Sequence, residues 1–315
     1  MTVSQLKKDE ELNLQSLTWG ELTWVNIENP TEKETEYLAQ YYPFHPLDLD
    51  DCLSRIQRSK IDKYKDYLFL VFHFPVFHKE ARVSKASQLS VFIGPNYLIT
   101  LHKGELKPLV KLFKECEIDE ESRQDNFSEG SGYLLYRIID RLVDYCIPIS
   151  NKMLDNIEDV EDEIFSNTRR SQIKEISILR RDIIAFRRII WPMRAVIGSL
   201  EPNIRRFTKM DLSVYFGDTV DHLDRIWDAL DEYKELIEGL NDTHDSLMTN
   251  RTNTIIRLLT IISTILLPTT LIASIWGMNI HLPFQNSSYS FIYIGLIMAS
   301  IIGGMLYFFR HKKWL

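Results

Sequence analysis

Hydrophobic positions fall into three regimes along this chain. In the first they cluster in short runs. Residues 21–27 predict a strand, residues 63–77 (KYKDYLFLVFHFPVF) a second, and residues 89–94 and 97–102 two more, joined by a turn at Gly94-Pro95-Asn96. Helical spacing is predicted over 31–41 and 107–115. Residues 117–131 are polar and turn-rich and read as the boundary of a mixed α/β domain.

From Gly132 onward the apolar period is helical. One helix runs through Tyr136, Ile139, Leu142 and Ile149 to about Phe165, with a kink expected at Pro148. After a turn at 166–170, a second passes through Ile178, Ile183, Phe186 and Ile190 and ends near Pro202. Between Pro202 and Pro268 there is no proline, and Gly217 and Gly239 are the only glycines. A third helix is therefore predicted from about Lys209 to Trp276, roughly 100 Å long. A helix of that length needs packing partners along its course.

The third regime is apolar throughout. Residues 254–276 are apolar or small except for Arg257, and residues 291–309 carry no charge. At about 1.5 Å per residue either run reaches most or all of the way across a hydrocarbon core of about 30 Å. Arg251 and Arg257 flank the first, and Arg310, His311, Lys312 and Lys313 follow the second. The connecting residues 279–290 have no charged side chain. The positive-inside rule therefore places both termini in the cytoplasm and the short loop outside. Trp276, Tyr289, Tyr307 and Trp314 lie where an aromatic belt is expected. The predicted fold is an α+β cytoplasmic domain (1–125), long helical stalk elements (126–250) and two C-terminal transmembrane helices (251–276 and 291–309). An outer loop (277–290) and a basic cytoplasmic tail (310–315) complete it.

Composition narrows the classes. The chain has 315 residues, 45% hydrophobic and 26% charged, which excludes disorder, a collagen-like chain and a transporter with many spans. A net charge of -7 argues against nucleic acid as a partner. Cys52, Cys116 and Cys146 form no CxxC and read as reduced thiols. Residues 1–17 hold Lys7, Lys8, Asp9, Glu10 and Glu11 and resemble no signal peptide. No Walker A loop, GxGxxG or HExxH occurs and the histidines are scattered, so an enzyme is not expected and no cofactor is implied. A membrane-anchored scaffold is the rival class. The arginines Arg180, Arg181, Arg187, Arg188 and Arg194 are expected to pair with the acidic helix holding Asp155, Glu158, Asp159, Glu161, Asp162 and Glu163.

The third helix carries the informative pattern. Asp221, Asp224, Asp228, Asp231, Glu235, Glu238, Asp242 and Asp245 recur every 3 or 4 residues, so they form one stripe. That stripe faces either bulk water or a cytoplasmic funnel that concentrates cations. Leu223, Trp227, Leu230, Tyr233, Ile237, Leu240 and Leu247 are expected in the packing seam. In the span, Asn253, Ile256, Thr260, Ser263, Leu267, Thr270, Ser274 and Gly277 step by 3 and 4. Hydroxyls on one side of a membrane helix belong to a helix interface or to a water-filled pore. Two spans cannot enclose a pore alone, so a pore requires a homo-oligomer. Gly295, Ala299 and Gly303 form a small-residue stripe on the second span.

Gly277-Met278-Asn279 directly follows the first of two C-terminal spans, and the chain ends Lys312-Lys313-Trp314-Leu315. This resembles the CorA family of magnesium channels. Leu179-Arg180-Arg181 with the segment Arg187 to Arg194 resembles that family's stalk. His45-Pro46-Leu47-Asp48-Leu49-Asp50-Asp51 followed by Gln57-Arg58-Ser59-Lys60-Ile61-Asp62 resembles its cytoplasmic domain. The resemblance implies a funnel-shaped homopentamer in the bacterial or archaeal inner membrane that takes up Mg²⁺, with Co²⁺ and Ni²⁺ as further cargo. It implies a selectivity loop at Gly277, Met278 and Asn279. It also implies pore-lining positions at Asn253, Ile256, Leu259, Leu267 and Thr270, with Ser263 and Ser274 on the same row. Ile256 and Leu259 fall at the hydrophobic constriction. Mg²⁺ sheds water reluctantly, so neutral amide oxygens suit the hydrated ion. The acids Asp231, Glu235, Glu238, Asp242 and Asp245 would lie at the funnel. Asp218 matches a regulatory aspartate at which cytoplasmic Mg²⁺ bridges subunits and favours closure. Its partner carboxylate is replaced by His78, with Glu80 close by. Trp276 stands where Tyr is usual, and the outer loop lacks an acid. His281 reads as a solvent-exposed loop residue or, because imidazole suits Zn²⁺, as the mark of a zinc-transporting relative, with proton coupling as an alternative to a channel mechanism.

Overall fold

The computed structural model describes residues 12–54, 58–166, 172–278 and 289–314. Gln57, Asn279, His281 and Leu315 lie outside the described residues. The chain forms two compact units, Met1–Leu240 and Asn241–Leu315.

The first unit is built on a six-stranded mixed sheet of order β1-β2-β6-β5-β4-β3. Its strands are β1 (Leu14–Trp19), β2 (Leu22–Glu28), β3 (Lys60–Lys63), β4 (Leu68–His78), β5 (Val83–Ile93) and β6 (Tyr97–His102). β2 and β6 are parallel, with Thr23 opposite Tyr97. β4 and β5 pair antiparallel over their full length, from Leu68 opposite Ile93 to His78 opposite Val83. The predicted strand over 63–77 is two strands, because the Tyr64 N–H donates to the Tyr67 carbonyl at 3.0 Å and closes a turn. The hydroxyls of both tyrosines donate to Asp48, at 3.1 and 2.9 Å, and satisfy that buried carboxylate.

The run LFLVFHF in β4 is nearly continuous because both faces of the sheet are covered. On one face Phe69, Val71 and Phe92 pack with Leu38 of α1 (Glu32–Tyr41) and with Leu49 and Cys52 of α2 (Pro46–Leu53). On the other, Trp24 meets Phe113 of α3 (Lys107–Ile118) edge-on at 4.9 Å and Phe127 of α4 (Glu120–Phe127) at 6.3 Å. The polar stretch expected to be a boundary is thus partly helical. The Asp119 side chain accepts the Ser122 N–H at 3.0 Å and starts α4, and Phe127 anchors its end.

The expected kink at Pro148 is a break at Tyr145 between α5 (Ser131–Asp144) and α6 (Cys146–Phe165). Pro148 then sits in the first turn of α6, where a missing N–H is harmless. α7 (Gln172–Gly198) lies against β4 and β5. A short helix, α8 (Glu201–Ile204), and a 3₁₀ turn, Arg205–Phe207, lead to α9 (Ser213–Trp276). α9 starts where the Asp211 carboxylate accepts the Ser213 N–H at 2.9 Å, four residues later than expected. The three cysteines are buried and free. The second unit holds the last part of α9 and all of α10 (Ser290–His311).

One buried histidine makes the sheet sensitive to acid. The Gly104 N–H donates to Nδ1 of His102 at 3.0 Å, so Nε2 carries the proton and faces Asn26 Oδ1 at 3.0 Å. Burial pushes His102 down to about 4. The unfolded chain therefore takes up this proton first as pH falls, and the native state loses stability between about pH 6.5 and 4. His102→Gln is expected to flatten the pH dependence of unfolding in that window by up to about 3 kcal/mol. Thermal unfolding of both proteins across the window checks this, and parallel curves would remove the assignment.

Candidate cation path and sensor site

α9 keeps one heptad seam through the first unit. Phe216, Thr219, Leu223, Ile226, Leu230, Tyr233, Ile237 and Leu240 are all buried. Ile226 takes the place expected for Trp227, which is only half-buried, and Leu247 is likewise half-buried. The acidic stripe divides into two rows flanking the back of this seam.

One row is bound by α7. Arg180 pairs with Glu238 at 3.5 Å, Arg187 pairs with Asp231, and Arg194 grips Asp224 through both carboxylate oxygens, Nη2 to Oδ2 at 2.8 Å. These arginines thus pair with α9 rather than with the acids of α6, correcting the sequence expectation; Arg181 donates to the Ala81 carbonyl at 3.3 Å. The sequence misses this because a 7-residue repeat of arginines names no partner. The other row, Asp221, Asp228, Glu235 and Asp242, is exposed and makes no ion pair among the described residues. Asp245 lies 3.6 Å from the buried His244 and accepts from Asn241 at 3.5 Å.

The second unit exposes large apolar side chains along both helices. Leu267 is 70% exposed, Phe291 88% and Tyr307 75%. Soluble surfaces rarely carry such a density, and both helices have the length and composition of membrane spans. Asn253, Ile256, Leu259, Ser263, Leu267, Thr270 and Ser274 are all exposed on α9. The hydroxyls of Thr260 and Thr270 donate to the carbonyls of Ile256 and Leu266, at 2.8 and 2.7 Å, so they need no outside acceptor. Pro268 stays inside the continuous helix. The Gly277 N–H reaches the Ala273 carbonyl at 2.9 Å, and the Met278 N–H that of Ile275 at 3.2 Å, ending the helix. A Cβ at Gly277 would come within 3.2 Å of the Ala273 oxygen. Asn279, the third residue of the motif, falls outside the described residues. Past α10, the Trp314 ring stacks on Phe309 at 5.9 Å, a contact that sequence reading does not reveal.

Asp218 projects from the first turns of α9 with its side chain 63% exposed. His222, one turn on, lies between two carboxylates: Nδ1 is 3.0 Å from Asp144 of α5 and Nε2 3.6 Å from Asp218. Asp140, also on α5, is raised above the usual carboxylate range, first by burial and then by the charge of Asp144, with Asp218 adding to it. The spacing of neither helix reveals this acid cluster. His78 ends β4, and exposed Glu80 sits in the turn that follows. Among the described residues no three metal-ligating side chains converge. The carboxylates of Asp218 and Glu80 have the oxygen chemistry Mg²⁺ prefers, and a site built from them would draw ligands from more than one element.

Comparison with known proteins is in keeping with this geometry. The family model of the CorA-like Mg2+ transporter protein matches residues 19–312. YfjQ of Bacillus subtilis, provisionally named a metal ion transporter, is 30% identical over 99% of this chain and 96% of its own. The cobalt/magnesium transport protein CorA of Thermotoga maritima is 29% identical over 93% of this chain and 83% of its own. In fold, the complete structure of the CorA magnesium transporter from Methanocaldococcus jannaschii aligns with a TM-score of 0.83, covering 95% of this chain and 94% of its own at 24% identity. The chain therefore belongs to the CorA-like Mg²⁺ transporter family, whose members move divalent metal ions across membranes and are not enzymes.

Proposed function

We propose that this chain is one subunit of a homopentameric channel that admits hydrated Mg²⁺, with Co²⁺ and Ni²⁺ as further cargo, through the inner membrane. Two spans per chain cannot surround a path, so copies of α9 enclose it around an axis. The reading is carried by one observation. The exposed acids Asp221, Asp228, Glu235 and Asp242 repeat every seven residues, and Thr249, Ile256, Ser263 and Thr270 continue that count along the same helix, with Gly277 next just past its end. A heptad position held by carboxylates, then by hydroxyl residues and the isoleucine of the constriction, then by the Gly-Met-Asn motif suits a cation path.

The roles follow from chemistry. Asn279 amides, one from each subunit, select the hydrated ion at the outer mouth. Ile256 and Leu259 form a constriction that closes by dewetting. Glu235 and Asp242 draw cations at the cytoplasmic end, while Asp231 and Glu238 serve chiefly as partners of α7. Cytoplasmic Mg²⁺ at Asp218, with Glu80 or His78 of a neighbouring subunit, favours the closed state. Both termini lie in the cytoplasm, as the basic tail requires.

The test is uptake into proteoliposomes holding a Mg²⁺-sensitive dye, repeated with Zn²⁺ under a pH gradient. Mg²⁺ entry driven by a negative-inside potential is expected. Zn²⁺ entry that depends on the proton gradient, with little Mg²⁺ flux, would overturn the assignment.

A further inference from the structure

We infer that α7 is a charge-locked strut that fixes the β4–β5 turn to α9, and that Arg82, Glu175 and Asp182 at one end and Arg187 and Arg194 at the other are positioning residues for closure by cytoplasmic Mg²⁺. This rests on the reading of Asp218 and the β4–β5 turn as the sensor.

The turn, residues 79–82, and the start of β5 are gripped from α7 at three points. Arg82, at φ +50°, forks onto Glu175 with Nη1 to Oε1 at 2.9 Å and Nη2 to Oε2 at 2.6 Å. Arg181 donates to the Ala81 carbonyl at 3.3 Å. The Ser84 N–H donates to Asp182 Oδ1 at 2.5 Å, and Asp182 is only 4% exposed. A carboxylate buried that deeply is tolerated because it is hydrogen-bonded, and losing its partner would leave it stranded. Bidentate arginine pairing adds orientation to attraction. The segment bearing Glu80 therefore has little freedom to move against α7.

From Arg180 to its C-terminal end, α7 is tied to α9 in one antiparallel register. Arg180 with Glu238, Arg187 with Asp231, Trp191 with Trp227, Arg194 with Asp224 and Gly198 with Val220 are five pairs without a slip. The charges alone do not fix this register. Arginines and acids both repeat every seven residues, so a slide of one heptad would pair Arg187 with Glu238 and Arg194 with Asp231. The Trp191 and Trp227 rings, 4.8 Å apart, do not repeat, and the Arg187 guanidinium lies 4.4 Å over Trp227. The tryptophan pair selects the register and the ion pairs stiffen it. The last pair, at Val220, is two residues from Asp218. Both halves of the proposed sensor, the turn and the start of α9, are thus referenced to one rigid helix.

The test is current through planar bilayers at graded Mg²⁺ on the cytoplasmic face. Glu175→Arg is expected to raise the half-inhibitory Mg²⁺ at least threefold, with uninhibited current within twofold of the parent. Arg82→Glu combined with Glu175→Arg restores the inverted pair and is expected to bring inhibition back within twofold. Arg187→Gln with Arg194→Gln, a milder change at the far end, is expected to shift inhibition in the same direction should the first variant fail to fold. An unchanged inhibition curve in these variants, or no rescue by the reversed pair, would overturn the strut. If Asp218→Ala shifts inhibition while they do not, the sensor reading stands and the strut alone fails. If Asp218→Ala is also without effect, the sensor reading itself fails.

Discussion

Replacing Asn279 with alanine is expected to lower Mg²⁺ flux at least about a hundredfold while the protein still assembles. The reason lies in the ion. Mg²⁺ holds its first-shell water tightly and demands near-octahedral geometry, so a site that strips it would also trap it. A ring of neutral amides offers acceptors to the ion's water hydrogens without the full charge of a carboxylate. Each such hydrogen bond contributes about 1 kcal/mol net, more toward a charged partner, and the proposed ring would repeat it in every subunit. Losing all of them together exceeds the roughly 2.8 kcal/mol that a hundredfold change requires. Asn279→Asp separates charge from hydrogen bonding: stronger binding and slower release are expected, with flux falling as affinity rises. Dye uptake in proteoliposomes, beside size-exclusion profiles of each variant, checks both. Normal uptake by the alanine variant would remove Asn279 from the selectivity role.

What could be read in the sequence depended on whether a segment's partner was local. Tyr97–His102 is strand as its alternation predicts. α9 is continuous because nothing between Pro202 and Pro268 interrupts it, and Pro268 is absorbed. β1 was not anticipated: LQSLTW is short, largely exposed edge strand whose apolar content is too low to stand out. α2 is also missed, although His45 accepts the Leu47 N–H at 3.2 Å and Pro46 opens the helix, because PLDLDDCL reads as polar. Val83–Ile93 starts six residues before the apolar run, since SKASQ is held by its register against β4 rather than by hydrophobicity. The acidic stripe is the instructive case. Its period is plain in the sequence, but a period of 3.5 fits two adjacent rows equally well. Only the arginines of α7 decide that Asp224, Asp231 and Glu238 are partnered and that Asp221, Asp228, Glu235 and Asp242 are not. The same holds for Asp218, whose neighbours Asp144 and His222 meet only in three dimensions.

Asp218→Ala is expected to raise the cytoplasmic Mg²⁺ needed for half-closure at least about tenfold, equivalent to about 1.4 kcal/mol of lost coupling between ion and closed state. The side chain is 63% exposed, so its oxygens are accessible to an ion, as the proposed site between subunits requires. Behind it stand Asp140 and Asp144; Asp140 is raised first by burial and then by the charge of Asp144, with Asp218 adding to it. A divalent cation relieves that repulsion, and only a conformation that brings a second subunit's carboxylate into reach gains the full benefit. In the proposed gating, Mg²⁺ favours the closed arrangement through differential affinity, which is the sole means by which a ligand shifts such an equilibrium. Asp218→Asn keeps the size and an acceptor oxygen but removes the charge, and is expected to shift closure as far as alanine does. His222→Gln is expected to shift it less, because the imidazole lies 3.6 Å from Asp218 and 3.0 Å from Asp144 and orients the pair rather than binding the ion. Bilayer currents at graded Mg²⁺, together with protease protection by Mg²⁺ in solution, measure closure in two independent ways. Superimposable curves for Asp218→Ala and the parent in both assays would move the sensor elsewhere in the chain.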